Sequence, residues 1–324
     1  MRKLTIALGE YPHVNALLEG AVTLDGYELE PIEVRPIIGA YRRMIRDLEF
    51  DICELAPVTY VMALEAGIPI TAIPVFLNRR FHHGDIQCAP GSSIHVPSDL
   101  TGRRMGVRAY SVSTGVWARG MLAEEYGVDN DSITWVVDDD DHVEGHLPSN
   151  LERIGDGRSL GQLLRESDID AALSGNAGTG RAGAPREGWT AVAEPEPGAE
   201  DAPYPLFPYA DLIASDYYLR TGIYPLHSVI VLKRSLVDAD PELPTKLYRA
   251  FVESKRRQRN ADPEWTAMSH LHVQAQLTGG DPIPYGPESN APSLDALVRY
   301  SRDQGLLDHA VNGEMFAEGE FPDN

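Results

Sequence analysis

Through the first quarter of the chain, short runs rich in β-branched residues alternate with segments of helical period, and this alternation constrains the fold most. "KLTIALG" is a strand-like run ending in Gly9, and "HVNALLEGAV" after it has helical spacing. "YELEPIEV" alternates as a strand does, and "IGAYRRMIRDLE" places Ile38, Tyr41, Met44, Ile45 and Leu48 on one helical face. "FDICEL", "APVTYVMALEAG" and "ITAIPVF" continue as strand, helix and strand. Alternation at this pitch gives parallel βαβ units in a doubly wound sheet.

A second series follows. "SDLTGRRMGV" reads as a capped turn with a strand, and "VSTGVWARGMLAEEYGV" as a helix closed by Gly127. "SITWVVD", "SLGQLLRESD" and "IDAALSG" add strand, helix and strand, while residues 176–203, rich in Gly, Pro and Ala, read as an irregular excursion. "SVIVLKRSLV" is a late strand, and "PELPTKLYRAFVESKRRQRN" a strongly amphipathic helix. The expected architecture is a two-lobed α/β clamshell, each lobe a doubly wound, mostly parallel sheet flanked by helices. Residues 1–84 with 224–324 form the first lobe and residues 85–223 the second. In such sheets a ligand sits in the crevice outside the carboxyl ends of the strands.

Composition narrows the partners. A formal charge of −21 over 324 residues opposes sequence-independent binding to nucleic acid or an anionic membrane. No apolar run is long enough to span a bilayer. The opening "MRKLTIALGEYPHVN" has too short an apolar stretch for a secretory signal, so a cytoplasmic location is expected. Cys53 and Cys88 are the two cysteines, which disfavours a structural disulfide or a thiolate metal site.

The loops that follow strands hold the chemistry-bearing residues. "NRRFHHGD" offers the planar forks of Arg79 and Arg80, suited to a carboxylate, and the imidazoles of His82 and His83, which exchange protons near neutral pH. Neighbouring side chains in an extended segment point to opposite faces, so one of each pair faces a ligand. A bland alternative is a polar loop, or histidines hydrogen-bonded in the core. "YSVSTG" sets Ser113 and Thr114 at a helix start, where hydroxyls and free N–H groups make an anion pocket, with Tyr110 packing on a ring; ordinary capping by Ser111 or Ser113 is the rival. Glu54, directly after a buried strand, serves as a base, orients a histidine or caps the next helix. "GEYPHV" and "SGNAG" place Tyr11 and Asn176 among the expected substrate contacts. His227 precedes a β-branched strand, a setting where histidine is more often structural. "DDDDHVEGH" tempts as a metal site through His142 and His146, but Gly145 and Pro148 oppose the helix that would align them, and an Asp run reads as a solvated turn. "HLH", with His270 and His272, reads as surface. P-loop and HExxH motifs are absent.

The pieces "FDICELAPVTYVMAL", "IPVFLNRRFHH", "LTGRRMGVRAYSVSTGVWARGMLAEEYGV" and "YYLRTGIYPLHSVIVLKR" stand in an order that resembles the 4,5-dihydroxyphthalate decarboxylase family. Its members look like type II periplasmic solute-binding proteins without a signal peptide. The likeness covers roughly residues 40–130 and 210–255. The chain departs from the family pattern in the shortened Pro225–Leu226–His227, in His82 where Arg is common, and in "LSGNAGTGRAG". The resemblance implies non-oxidative decarboxylation of a hydroxylated aromatic acid, through protonation of the ipso carbon and loss of CO2. It favours Arg80 and His83 as the pair that meets substrate. His83, His227 and Glu54 would divide the acid and base roles, while Arg80, Ser113 and Thr114 orient carboxylates. No cofactor is implied, with a divalent metal left open. A small aromatic carboxylate is the expected partner, and a homo-oligomer has room in this reading. The rivals are a solute-binding or sensor protein on the same scaffold, and another lyase such as a dehydratase.

Overall fold

A computed structural model describes residues 1–145, 148–155, 157–182, 190–191, 202–308 and 315–324. The strands are β1 (Arg2–Ala7), β2 (Tyr27–Pro31), β3 (Ile52–Leu55), β4 (Ile70–Ile73), β5 (Ile86–Cys88), β6 (Arg104–Gly106), β7 (Thr134–Val137), β8 (Leu151–Arg153), β9 (Ala171–Leu173), β10 (Arg181–Ala182), β11 (Thr190–Ala191), β12 (Tyr204–Pro205) and β13 (Val229–Lys233). The helices are α1 (Asn15–Leu18), α2 (Ile38–Asp47), α3 (Pro57–Glu65), α4 (Ser113–Tyr126), α5 (Leu160–Arg165), α6 (Ala210–Thr221), α7 (Arg234–Ala239), α8 (Leu243–Ala261), α9 (Ser269–Thr278) and α10 (Ala291–Asp303). The chain divides into two compact units. The first holds Met1–Arg80, Leu226–Val298 and the C-terminal stretch; the second holds Phe81–Pro225 and Arg299–Asp308.

The first unit is built on the sheet β2-β1-β3-β13-β4. β1 runs parallel to β2 and β3, and β13 runs antiparallel between β3 and β4. β3 and β4 are buried along their whole length, so their sequences are continuously apolar apart from Glu54 and Thr71. Leu4, Ile6, Ile52, Ile230 and Leu232 share a core with Leu247, Tyr248 and Phe251 of α8. α2 buries Ala40, Tyr41, Met44 and Ile45, the stripe that its spacing predicts, and ends where Leu48 takes the left-handed conformation. The helix expected over "HVNALLEGAV" is shorter than its pattern: a 3-10 turn Pro12–Val14 and the four residues of α1, followed by Gly20 at φ 76°. β4 stops before Pro74, which has no N–H to give the ladder. Beyond it the chain stays beside the segment that enters β13. The Ser228 hydroxyl accepts from the N–H groups of Leu77 and Asn78, and the N–H of His227 donates to the carbonyl of Asn78 at 2.9 Å.

The second unit is built on the sheet β12-β5-β9-β6-β7-β8. β9, β6, β7 and β8 are parallel neighbours, while β5 pairs antiparallel with β9 and β12. Both sheets therefore keep a parallel heart and take antiparallel strands where later chain joins them. Val136, Leu160, Leu163, Ile169 and Ala172 form one of its apolar clusters. α5 starts with a capping box, Ser159 accepting from Gln162 N–H and Gln162 accepting from Ser159 N–H. α4 closes at Gly127, φ 64°, as its sequence predicts. Most of the Gly- and Pro-rich excursion, residues 183–189 and 192–201, lies outside the described residues. Among the described residues no helix is long and apolar enough to cross a membrane.

Candidate functional site

In the first unit the strand-end loops converge on Glu54. The carboxylate is buried at the end of β3, and it does not cap α3, whose N-cap Ala56 has no side-chain bond. It accepts instead from Gly9 N–H at 2.8 Å, from the Tyr11 hydroxyl at 2.8 Å and from the Tyr41 hydroxyl at 3.2 Å. Burial raises its pKa above the ordinary carboxylate range, against the lowering by its three donors. Burial and the adjoining carboxylate push Tyr11 and Tyr41 well above the usual phenol value. Glu54 is thus tied to the loop that carries Tyr11.

That loop holds a residue that sequence reasoning passed over. His13 is fully buried, its ring 5.4 Å from that of Tyr11 and edge-on to Trp265 at 6.1 Å. Burial, then the nearby Lys255 and His270, lower its pKa to about 3. Its position in the first post-strand loop was the available signal. On the segment after β4 the two arginines differ in burial. Arg79 turns inward and donates to Asn290 Oδ1 at 2.6 Å and Ser293 Oγ at 3.0 Å. Arg80 is half-buried and lies within electrostatic reach of His270. His227 is half-buried on the neighbouring segment, where Arg79 bridges to Leu226. His270 and His272 both fall on α9, on exposed or half-buried positions.

In the second unit the two histidines of "FHHGD" have different surroundings. His82 is buried and its Nδ1 meets Asp85 Oδ2 at 2.7 Å. His83 is 2% exposed, edge-on to Phe207 at 5.7 Å and to Tyr217 at 5.5 Å. Neither of its ring nitrogens has a hydrogen-bond partner among the described residues. Burial, reinforced by His82 and opposed by Asp85, lowers its pKa to about 4. At neutral pH this is an uncharged imidazole.

Ser113 and Thr114 open α4 and both are buried. Neither Ser111 nor Ser113 caps the helix: its N-cap is Val112, without a side-chain bond. Ser111 instead gives both its N–H and its hydroxyl to Asp141 Oδ1, at 2.6 and 2.5 Å. This belongs to a larger correction, because the run Asp138–Asp141 is no solvated turn. Asp138 pairs with the buried Arg181, Asp139 with the buried Arg108 at 3.0 Å, Asp140 with Arg153 at 2.8 Å, and Asp141 with Ser111. His142, after the run, is buried, and His146 lies outside the described residues. Among the described residues no group of three His, Cys, Asp or Glu is placed to hold a metal ion. Tyr110 is an interior residue, 4% exposed, with the Arg119 guanidinium 3.9 Å over its ring and Trp135 at its edge. Asn176 is exposed on the 3-10 turn Gly175–Ala177.

Against proteins of known function, the chain is 28% identical over 341 residues to a 4,5-dihydroxyphthalate decarboxylase of Comamonas testosteroni, covering 97% of this chain and 96% of that protein. It is 30% identical over 184 residues to a 4,5-dihydroxyphthalate decarboxylase of Pseudomonas putida, covering 52% of this chain and 69% of that one. Among solved structures, a Candida albicans protein described as having the generic periplasmic binding protein fold superimposes with a TM-score of 0.51 at 11% identity, covering 99% of both chains. That last likeness concerns the fold alone, and it agrees with the fold expected from the sequence. No protein-family model matches the chain.

Proposed function

The chain belongs to the 4,5-dihydroxyphthalate decarboxylase family, and from that premise we propose that it is a carboxy-lyase acting on a hydroxylated aromatic dicarboxylate of the 4,5-dihydroxyphthalate type. The observation that carries this reading is the end-to-end similarity to a decarboxylase, over 97% of this chain and 96% of that protein.

Expelling CO2 directly from an arene leaves a high-energy aryl anion. Protonating the ring carbon first avoids it, provided a ring hydroxyl pushes electron density to that carbon. In our reading His83 accepts the proton of a hydroxyl para to the departing carboxylate, a task suited to an imidazole that is uncharged at neutral pH. The ipso carbon takes a proton from a second group, a role we assign to His227. The bond to the carboxylate then breaks, its electron pair restores the aromatic ring, and CO2 leaves. His83 returns its proton to the phenolate, so the reaction consumes one proton overall, at the ring carbon. Arg80, Ser113 and Thr114 orient carboxylates. Glu54, engaged by three internal donors, holds Tyr11 in place.

Incubation with 4,5-dihydroxyphthalate tests the proposal. Release of one CO2 per ring with formation of 3,4-dihydroxybenzoate supports it, and binding without CO2 release overturns it. His83→Gln should lower turnover by about 10²-fold or more, and a variant with full turnover removes His83 from the chemistry.

A further inference from the structure

Arg119 carries a charge that none of the described residues pairs. Its residue is fully buried in α4, and no carboxylate stands within ion-pair distance of it among the described residues. The guanidinium lies on the faces of Tyr110 and Trp135, 3.9 and 4.9 Å from their centroids. Nε donates to Gln304 Oε1 at 2.6 Å and Nη2 to the carbonyl of Tyr110. Nη1 is buried and has no hydrogen-bond partner among the described residues. The acid that reaches Arg119 electrostatically, Asp141, is held by Ser111.

The position of that nitrogen is set by the helix. Side chains lean toward a helix's N-terminus, so Arg119 runs back along the face of Gly115, one turn earlier. A Cβ on Gly115 would lie 3.2 Å from Nη1, which puts the charge beneath the first turn of the 14-residue α4. There the positive end of the helix dipole and the N–H groups of the first turn already favour an anion. A buried cation without a counter-charge is costly unless something neutralises it.

We infer that Arg119 is the buried counter-charge for a ring carboxylate that docks on the first turn of α4. The inference rests on the reading above that Ser113 and Thr114 receive a substrate carboxylate. It adds a residue that acts through the helix end, by charge, without itself meeting the ring; Arg119 is a positioning residue. The ligand class follows from the chemistry: an aromatic carboxylate is recognised, and its neutral ester is not.

Phthalate, which lacks the ring hydroxyls, is the probe, with affinity read by calorimetry on the full chain. Arg119→Gln should weaken phthalate binding by about tenfold or more, while Arg119→Lys, which keeps the charge and loses the planar fork, stays within about threefold of wild type. With 4,5-dihydroxyphthalate, Arg119→Gln should raise KM and leave kcat unchanged. If the Gln and Lys variants weaken together, or the folded Gln variant binds as wild type does, the inference is overturned. Thr114→Ala separates this from the underlying reading. If Thr114→Ala weakens binding and Arg119→Gln does not, only the Arg119 inference fails; if neither changes it, the α4 reading fails as well. Should the Gln variant not fold, the side-chain nitrogen signal of Arg119 in the wild-type chain, assigned by its loss in Arg119→Lys, decides. Its movement on adding phthalate supports the inference, and a fixed signal overturns it.

Discussion

His83 has its ring edge-on to Phe207 and Tyr217, so protonating it means placing a charge in an apolar niche. Its folded pKa of about 4 lies below the ordinary 6.5, so the unfolded chain takes up a proton first as pH falls. Stability is therefore whole above pH 6.5, is lost as pH falls toward 4, and levels off below that, by about 3 kcal/mol in all. His13, lowered to about 3, acts in the same direction. His83→Phe, which keeps an aromatic ring there and does not titrate, should show a shallower loss between pH 6.5 and 4 in denaturant titrations. Parallel curves for the two proteins would rule the niche out as the source. At this scale the sequence was informative where alternation governs the outcome. On the segment after β4 Arg79 went inward to Asn290 and Ser293, while Arg80 stayed half-buried. The fates of Tyr110 and the Asp run were not legible, because their partners Arg119, Arg181 and Arg108 come from elsewhere in the chain and no local pattern announces them.

Helices with complete local signals formed where their patterns put them. α2 buried the stripe at Tyr41, Met44 and Ile45, and α4 ended at Gly127. α1 did not extend, since Gly20 at φ 76° ended it early and the apolar residues beyond joined the core without helical backbone. α4 also depends on a glycine that its sequence alone does not explain. A Cβ on Gly120 would collide with the ring of Tyr300, which lies against the helix with its hydroxyl bonded to Glu124. Gly120→Ala gains helix propensity and should still destabilise the protein by about 1–3 kcal/mol, because the Tyr300 ring must leave its place. Adding Tyr300→Ala should recover part of that loss, and strictly additive effects in a denaturation cycle would contradict the packing argument.

For the whole molecule, the proposed chemistry makes a claim about the substrate. A ring hydroxyl must supply the electron push, so phthalate should bind and release no CO2, whereas 4,5-dihydroxyphthalate releases it. Run in D2O, the reaction should leave a single deuterium on ring carbon in the product, located by NMR at the carbon that lost its carboxylate. Product without ring deuterium would contradict ipso protonation. One feature of the second unit bears on how this chain tolerates change. Four consecutive acids, Asp138–Asp141, each engage a different partner. Replacing one member leaves the pairings of the other three in place, but adding or deleting a single residue there shifts every acid onto its neighbour's counterpart at once. Length in that turn should accordingly be far less forgiving than identity.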